Sequence, residues 1–279
     1  MAHPFERLLL ATEHTEFDRG AETIAFALAA RCGLPLAAVL PLVSNAAYEA
    51  EMPALAARAD AEAGARADAL EAEAARAGVA LALRVRRGEE PFEQIVAEAR
   101  ERGADLIVAR RRGRRGFLAQ LMFGEMVGKV VAHAPCSVLL CPRAAAMWQR
   151  RVLVGVDPQA SAAGSVELAA RIAAACGIGL QVVAVAEGKG AHAAAASALA
   201  AAVARAAPLV ADVAGEFRTG RPHEGLIAAA TACSADLIVV DRHVQPLPGR
   251  AWIGGTTQKV IGLAEGPVLV HVPSAAGAP

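Results

Sequence analysis

Aromatic residues are scarce in this sequence, where Phe, Trp and Tyr together make up 4% of 279 residues. Proteins that hold single-stranded nucleic acid stack its bases on aromatic side chains, and the sequence offers too few for such a surface. Net charge is also missing, because 28 Lys and Arg residues are balanced by 28 Asp and Glu residues. No overall field draws the chain to nucleic acid or to an anionic membrane, so any basic action has to be local.

Cysteine and histidine are present, but without the spacing that their site chemistry requires. The odd number of cysteines and the lack of a C-x-x-C motif predict reduced thiols in a cytosolic protein. The seven histidines show no metal-ligand spacing, and no Ser, His and Asp set has a recognised spacing. We therefore expect neither a metal site nor a catalytic residue. The cysteines are Cys32, Cys136, Cys141, Cys176 and Cys233.

Segments that would cross or target a membrane are missing as well. The apolar run near the N-terminus is too short for a signal peptide and has no basic lead-in. The Ala-rich tract over residues 191–215 contains Arg205 and Pro208, which favours a helix packed on a sheet over a membrane span. The sequence thus predicts a cytoplasmic protein with no membrane partner.

The sequence does contain an internal repeat, in which three short motifs recur in the same order. Each landmark in the first half has a counterpart in the second, in the same order, which is the signature of an internal repeat. The repeat predicts two domains, over residues 1–146 and 147–279. The paired landmarks are RLLLATE (7–13) with RVLVGVD (151–157), ADLIVARR (104–111) with ADLIVVDR (235–242), and KVVAHAPCSVLLCP (129–142) with KVIGLAEGPVLVHV (259–272).

Short apolar runs without polar alternation alternate with longer segments of helical spacing in both halves. Such runs are typical of strands buried on both faces of a parallel sheet, and the alternation indicates βαβ units. Gly33 follows one helical segment as a plausible stop, and a proline opens the segment 89–103. The predicted strands are 6–12, 35–42, 79–87, 105–110 and 136–141 in the first copy, and 151–156, 180–186, 213–219, 236–241 and 267–272 in the second.

These motifs resemble the universal stress protein family, most specifically in the run HAPCSVLLCP that follows a Gly-rich loop. The resemblance implies two tandem Rossmann-like α/β domains of the adenine nucleotide alpha hydrolase type. Each domain would have a five-stranded parallel sheet of order 3-2-1-4-5 with helices on both faces. The family also implies that the last strands of the two domains pair antiparallel, forming a pseudo-dimer within one chain. A homodimer of the whole chain and an unknown protein partner stay open.

Members of this family divide into ATP binders and non-binders. The binders carry an acid after strand 1 and a loop of the form G-x2-G-x9-G-[S/T] after strand 4. The acid accepts a hydrogen bond from the base or the ribose, while the glycines let backbone N–H groups approach phosphate oxygens.

The first copy departs from the binders' pattern at three positions. Its acid would be Glu13, next to Thr12, and the loop would begin at Arg110 where the binders have glycine. A carboxylate, Glu125, stands at the hydroxyl position, so we expect it to act as a built-in phosphate mimic at a helix N-terminus. The arginines of the loop are expected to face water or to pair with Glu125. Gly113 and Gly124 match the second and third glycines, with one extra residue between them, and Gly116 is expected to help keep the turn.

The second copy keeps what the first has lost and lacks what the first has kept. Its acid is Asp157, which follows Val156, and Val185 would supply an apolar wall for the base. Asp241 replaces the first loop glycine, so its carboxylate would oppose phosphate. The small residues at the end of the loop are Gly254, Gly255 and Thr256.

Neither copy has a complete ATP site by this comparison. The leading hypothesis is a stress-response regulatory or binding protein with degenerate loops and at most weak ATP binding. ATP or AMP, with Mg²⁺, are the cofactor candidates, and none is assigned. The alternative is a functional ATP-binding protein or a weak ATPase that uses one site. Nucleic-acid binding through residues 110–115 is disfavoured, because Phe117 is the one aromatic beside these arginines.

Overall fold

The computed structural model describes residues 3–111, 125–158, 162–247 and 250–273. The chain forms two compact units whose main division falls between Met147 and Trp148. Each is an α/β unit built on a parallel five-stranded sheet, as the alternation of strands and helices predicts.

In the N-terminal unit the sheet has the order β3-β2-β1-β4-β5, and every neighbouring pair is parallel. Because parallel neighbours need crossover connections, helices run between the strands. The strands are β1 (Leu8–Ala11), β2 (Leu36–Val43), β3 (Leu81–Gly88), β4 (Leu106–Arg110) and β5 (Ser137–Cys141), and the helices are α1 (Arg19–Cys32), α2 (Ala46–Glu51), α3 (Pro53–Arg76), α4 (Pro91–Arg102) and α5 (Glu125–His133).

The C-terminal unit repeats this plan and adds a two-stranded hairpin. Its parallel sheet has the order β8-β7-β6-β9-β12, while β10 and β11 pair antiparallel with each other. The strands are β6 (Arg151–Val156), β7 (Gly179–Ala186), β8 (Val213–Thr219), β9 (Leu237–Asp241), β10 (Val244–Leu247), β11 (Arg250–Ile253) and β12 (Val268–His271), and the helices are α6 (Ala163–Cys176), α7 (His192–Ala206), α8 (Pro222–Ala232) and α9 (Gly255–Leu263).

The central strands are buried on both faces, which is why they lack polar alternation. All residues of β1, β5 and β7 are buried, whereas the edge strands β3 and β8 alternate with half-exposed and exposed positions. The helix ends match their sequence signals: Gly33 ends α1 with φ of 63°, and Pro91 lies in the first turn of α4. The strand and helix predictions are confirmed apart from the hairpin β10–β11, where the sequence indicated only a bulky loop.

The Ala-rich tract forms α7, which packs against β7 and β8. Within the described residues, no helix combines the length and the apolar character that a membrane crossing needs.

Candidate functional site

A cleft of about 900 Å³ opens at the carboxyl ends of the strands in the C-terminal unit. In an open parallel sheet this edge is where ligands bind, because the loops after the strands meet there. The loops after β6, β7 and β9 and the first turn of α9 enclose the cleft. Its lining includes Val156, Asp157, Val185, Glu187, Leu226, Val240, Asp241, Arg242, His243, Gly254, Gly255, Thr256 and Thr257.

One wall of the cleft is apolar and the acid stands at its rim. Val156 and Val185 are buried at the ends of β6 and β7. Asp157 follows directly, and its Oδ2 lies 3.3 Å from Nε2 of His243, with both side chains more than a third exposed. The predicted acid and the predicted wall therefore line one cleft, with His243 as a partner that the sequence did not reveal.

The carboxylate of Asp241 is held by two neighbours. Ser165 on α6 donates its hydroxyl to Oδ2 at 2.6 Å, and Nδ1 of His271 lies 2.9 Å from Oδ1. The Asp241 carbonyl also accepts the hydroxyl of Thr257 at 3.0 Å. Asp241 therefore serves first as a structural link between β9, α6, α9 and β12, although its charge still faces the cleft region.

The first turn of α9 supplies the small residues that the sequence indicated. The Gly254 N–H donates to the carbonyl of His243 at 2.6 Å, and a Cβ at Gly254 would lie 3.0 Å from Cβ of His243. Gly255 begins the helix with open space around it. The first N–H groups of a helix have no partner inside it and attract anions, so this turn of α9 is the group in the cleft best suited to a phosphate.

Among the described residues that line the cleft, acidic side chains outnumber fixed positive charges. Asp157, Glu187 and Asp241 line it beside Arg242. Burial lowers the pKa of His223 in the first turn of α8, and the charge of Lys259 lowers it further, which disfavours a positive charge on that imidazole. Carboxylates repel phosphate oxygens at close range. The cleft therefore suits a base and a ribose better than a polyphosphate chain.

In the N-terminal unit the corresponding edge is occupied by an arginine network. Nη2 of Arg110 lies 3.0 Å from Oε2 of Glu13, and Nη1 lies 3.2 Å from Oδ2 of the buried Asp18. Nη1 also donates to the hydroxyl of Thr15 at 3.2 Å. The predicted acid Glu13 is thus paired with a cation of its own chain.

This network gives Arg110 partners that the sequence prediction did not include. Arg110 pairs with Glu13 and Asp18, because the end of β4 lies beside the end of β1 and the guanidinium reaches the next loop. Arg111 is buried. The glycines Gly113, Gly116 and Gly124 lie outside the described residues, and Glu125 is the first residue of α5.

The two units differ by a matched exchange at neighbouring strand positions. Arg110 lies beside Cys141 in the first sheet, while Asp241 lies beside His271 in the second. Burial raises the pKa of the Cys141 thiol far above its ordinary value, so this group stays neutral and Arg110 finds its acids elsewhere. Aligning the two repeats strand by strand would have revealed both pairs, because Arg110 and Cys141 of the first copy stand where the second copy has Asp241 and His271.

Comparison with known proteins settles the family. The model of the Universal stress protein family matches residues 4–142 and again 149–273. The chain belongs to the universal stress protein family. The tandem arrangement of two such domains, predicted from the repeat, is therefore confirmed.

Two solved structures that match nearly the whole chain share the fold of this universal stress protein. A universal stress protein from Archaeoglobus fulgidus shares 18% identity, covers 98% of this chain and 99% of its own, and gives a TM-score of 0.72. A functionally unknown protein from Pseudomonas aeruginosa shares 18% identity over 97% of this chain and 93% of its own, with a TM-score of 0.68. A universal stress protein from Archaeoglobus fulgidus in complex with dAMP, at 22% identity, covers 45% of this chain and all of its own, with a TM-score of 0.37. A search of curated proteins found no match.

Proposed function

We propose that this universal stress protein is a regulatory binding protein whose C-terminal cleft holds an adenine nucleotide weakly, while its N-terminal site no longer does. The observation that carries the proposal is the cleft of about 900 Å³ at the carboxyl edge of the second sheet. Small-molecule sites have volumes of about 300–1,000 Å³ and combine an apolar wall with a few polar groups.

Three parts of the cleft match three parts of a nucleoside monophosphate. The apolar wall of Val156 and Val185 suits the base. The carboxylate of Asp157 can accept a hydrogen bond from a ribose O–H or from an amino N–H of the base. The first turn of α9 suits one phosphate. The acids at the rim disfavour further phosphates. AMP should therefore bind at least as well as ATP, with a Kd on the order of 0.1–1 mM.

The N-terminal unit is proposed not to bind nucleotide, because Arg110 already occupies the carboxylate of Glu13 that would accept hydrogen bonds from the ligand. Arg110 holds Glu13 and Asp18 together across the loop after β1. A nucleotide that used Glu13 would have to break this pair and leave a charge on the buried Asp18 less well compensated.

The variant Gly255→Glu should abolish AMP binding. Nothing lies near a Cβ at this position, so the fold should tolerate the change while a carboxylate takes the phosphate's place at the helix N-terminus. Gly262→Glu is the matched control, since it adds the same charge to the same helix, also into open space, about two turns away. Calorimetric titration with AMP and with Mg-ATP measures both variants against the wild type.

Two results would contradict the proposal. One is a folded wild type that shows no heat of binding with either nucleotide at millimolar concentration. The other is equal binding in wild type and Gly255→Glu, which would move the site away from α9. Release of phosphate from ATP in the same samples would favour the weak-ATPase alternative.

The carboxylate of Glu125 is the second feature proposed to oppose a triphosphate in the first site. We expect Glu125→Ser to strengthen ATP binding by removing a like charge beside the phosphates. Titration of Mg-ATP should show a second, independent binding event that Gly255→Glu leaves intact. If Glu125→Ser weakens ATP binding instead, Glu125 belongs to a working site, through Mg²⁺ or another contact, and its role as a phosphate mimic is wrong.

A further inference from the structure

Three side chains that lie far apart in the sequence converge behind the loop after β1. The ligand atoms of His14, Glu22 and Glu73 all lie within 4.8 Å of one another. His14 belongs to the loop, Glu22 to the first turn of α1 and Glu73 to the last turns of α3. This set of one imidazole and two carboxylates takes no part in the proposed nucleotide sites.

The charge at this cluster is unlike that of other buried carboxylates in the chain. The side chain of Glu22 is only 5% exposed. Asp18 is compensated by Arg110, and Glu98 by three arginines. Among the described residues, no Lys or Arg forms a salt bridge with Glu22 or with Glu73, and Glu22 is paired with the imidazole of His14. Buried charges are normally paired or bound to metal, so two carboxylates this close leave room for a cation.

The distances within the cluster suit a coordinated ion. Nδ1 of His14 lies 3.0 Å from Oε1 of Glu22, a hydrogen-bond distance. Two ligands at about 2.0–2.1 Å from a tetrahedral Zn²⁺ ion lie about 3.3–3.4 Å apart, so a small opening of this pair admits the ion. The hydroxyl of Thr12 donates to the same Glu22 oxygen at 2.7 Å. Metal-binding carboxylates are commonly fixed by such a hydrogen bond.

We propose that His14, Glu22 and Glu73 bind one divalent transition-metal ion of the zinc class, with water completing the coordination. One imidazole and two carboxylates give a donor set that Zn²⁺ accepts and that Mg²⁺, which prefers oxygen ligands alone, does not favour. Thr12 positions Glu22. The ion joins the loop after β1 to α1 and α3.

Binding at this place bears on the arginine network beside it. His14 lies between Glu13 and Thr15, both of which contact Arg110. His14 also has a φ of 50°, which few residues other than glycine adopt. A metal held by the imidazole therefore fixes the same loop segment that closes the N-terminal site.

The test is Zn²⁺ binding to the full chain, free of an affinity tag and stripped of metal. Wild type, Glu73→Gln and His14→Asn are titrated with Zn²⁺ by calorimetry, and Co²⁺ absorption reports the coordination. Asn is chosen for position 14 because it tolerates positive φ. Glu71→Gln, which removes an exposed carboxylate from the same helix, is the control.

We expect the wild type and Glu71→Gln to bind one Zn²⁺ ion that raises the Tm, and both site variants to bind it at least about tenfold more weakly. Equal binding and equal Tm shifts in all four proteins would overturn the proposal, as would a wild type that binds no Zn²⁺. If His14→Asn fails to fold, Glu73→Gln decides alone, because Glu73 is half-buried on a helix.

Discussion

Replacing Glu98 with alanine should lower the free energy of unfolding by about 2–3 kcal/mol. The Glu98 side chain is fully buried on α4, beneath the edge strand β3. Oε2 accepts from Arg84 at 3.0 Å and from Arg86 at 2.7 Å, while Oε1 accepts from Arg102 at 2.9 Å. Removal of the carboxylate leaves three guanidinium groups without their shared acceptor. The arginines are partly exposed and regain some water, which keeps the loss below that of a fully buried pair.

Glu101 provides a matched control for this prediction. It bonds the same two strand arginines, Arg84 and Arg86, but half of its side chain is exposed. Exposed ion pairs contribute little, so Glu101→Ala should cost much less than Glu98→Ala. Urea unfolding of the three proteins measures the difference. Equal losses for the two variants would show that burial does not set the contribution of Glu98.

The same cluster makes stability depend on pH in a defined direction. Burial by itself would raise the pKa of Glu98, but hydrogen bonds from Arg102 and Arg86 and the charge of Arg84 outweigh it and hold the pKa below its ordinary value of 4.5. The unfolded chain therefore binds a proton at a higher pH than the folded chain does. The contribution of Glu98 is complete above about pH 4.5 and is lost as the pH falls through the folded pKa. The difference in free energy of unfolding between wild type and Glu98→Ala should therefore become smaller as the pH falls below about 4.5.

The fold could be predicted from the sequence because its signals are local. A run such as residues 137–141 has no polar alternation since its strand is buried on both faces, and Gly33 marks a helix end by its own φ. The hairpin β10–β11 was missed for a physical reason. The stretch that contains Pro246 was interpreted as a loop, but in a two-stranded ribbon neither strand is central, and the missing donor of a proline is tolerated there.

The candidate sites were predictable only where one short motif carries the chemistry. Asp157 follows a strand, and the turn at Gly254 opens a helix, so both could be placed at the carboxyl edge. The pair of Arg110 and Asp18 joins residues 92 positions apart. The direction of a long side chain depends on which strand lies next to it, and a sequence pattern does not specify that. The convergence of Glu73 with His14 has the same origin, since α3 returns over the sheet before its last turns reach the loop.

Gly20→Ala should destabilise the protein by about 3 kcal/mol, through a collision rather than a lost contact. Gly20 is buried in the first turn of α1, where the helix passes directly over the chain that leaves β5. A Cβ there would strike the carbonyl oxygen of Pro142 and come within 3.0 Å of the Ala145 nitrogen. These are backbone atoms, so no flexible side chain can move aside and the helix itself has to shift.

Gly64→Ala should have the opposite sign and serves as the control. Gly64 is exposed in the middle of α3 with nothing near the added carbon, and alanine stabilises a helix interior over glycine by up to about 1 kcal/mol. Gly164, the counterpart of Gly20 on α6, should give an intermediate loss, because its added carbon would meet the His271 ring at 2.6 Å, and a side chain can rotate where a backbone cannot. Thermal and urea unfolding of the three variants checks the order. If Gly20→Ala leaves the free energy of unfolding unchanged, α1 can move away from the chain that follows β5 without cost. The close approach of the helix would then not be the reason for glycine at this position.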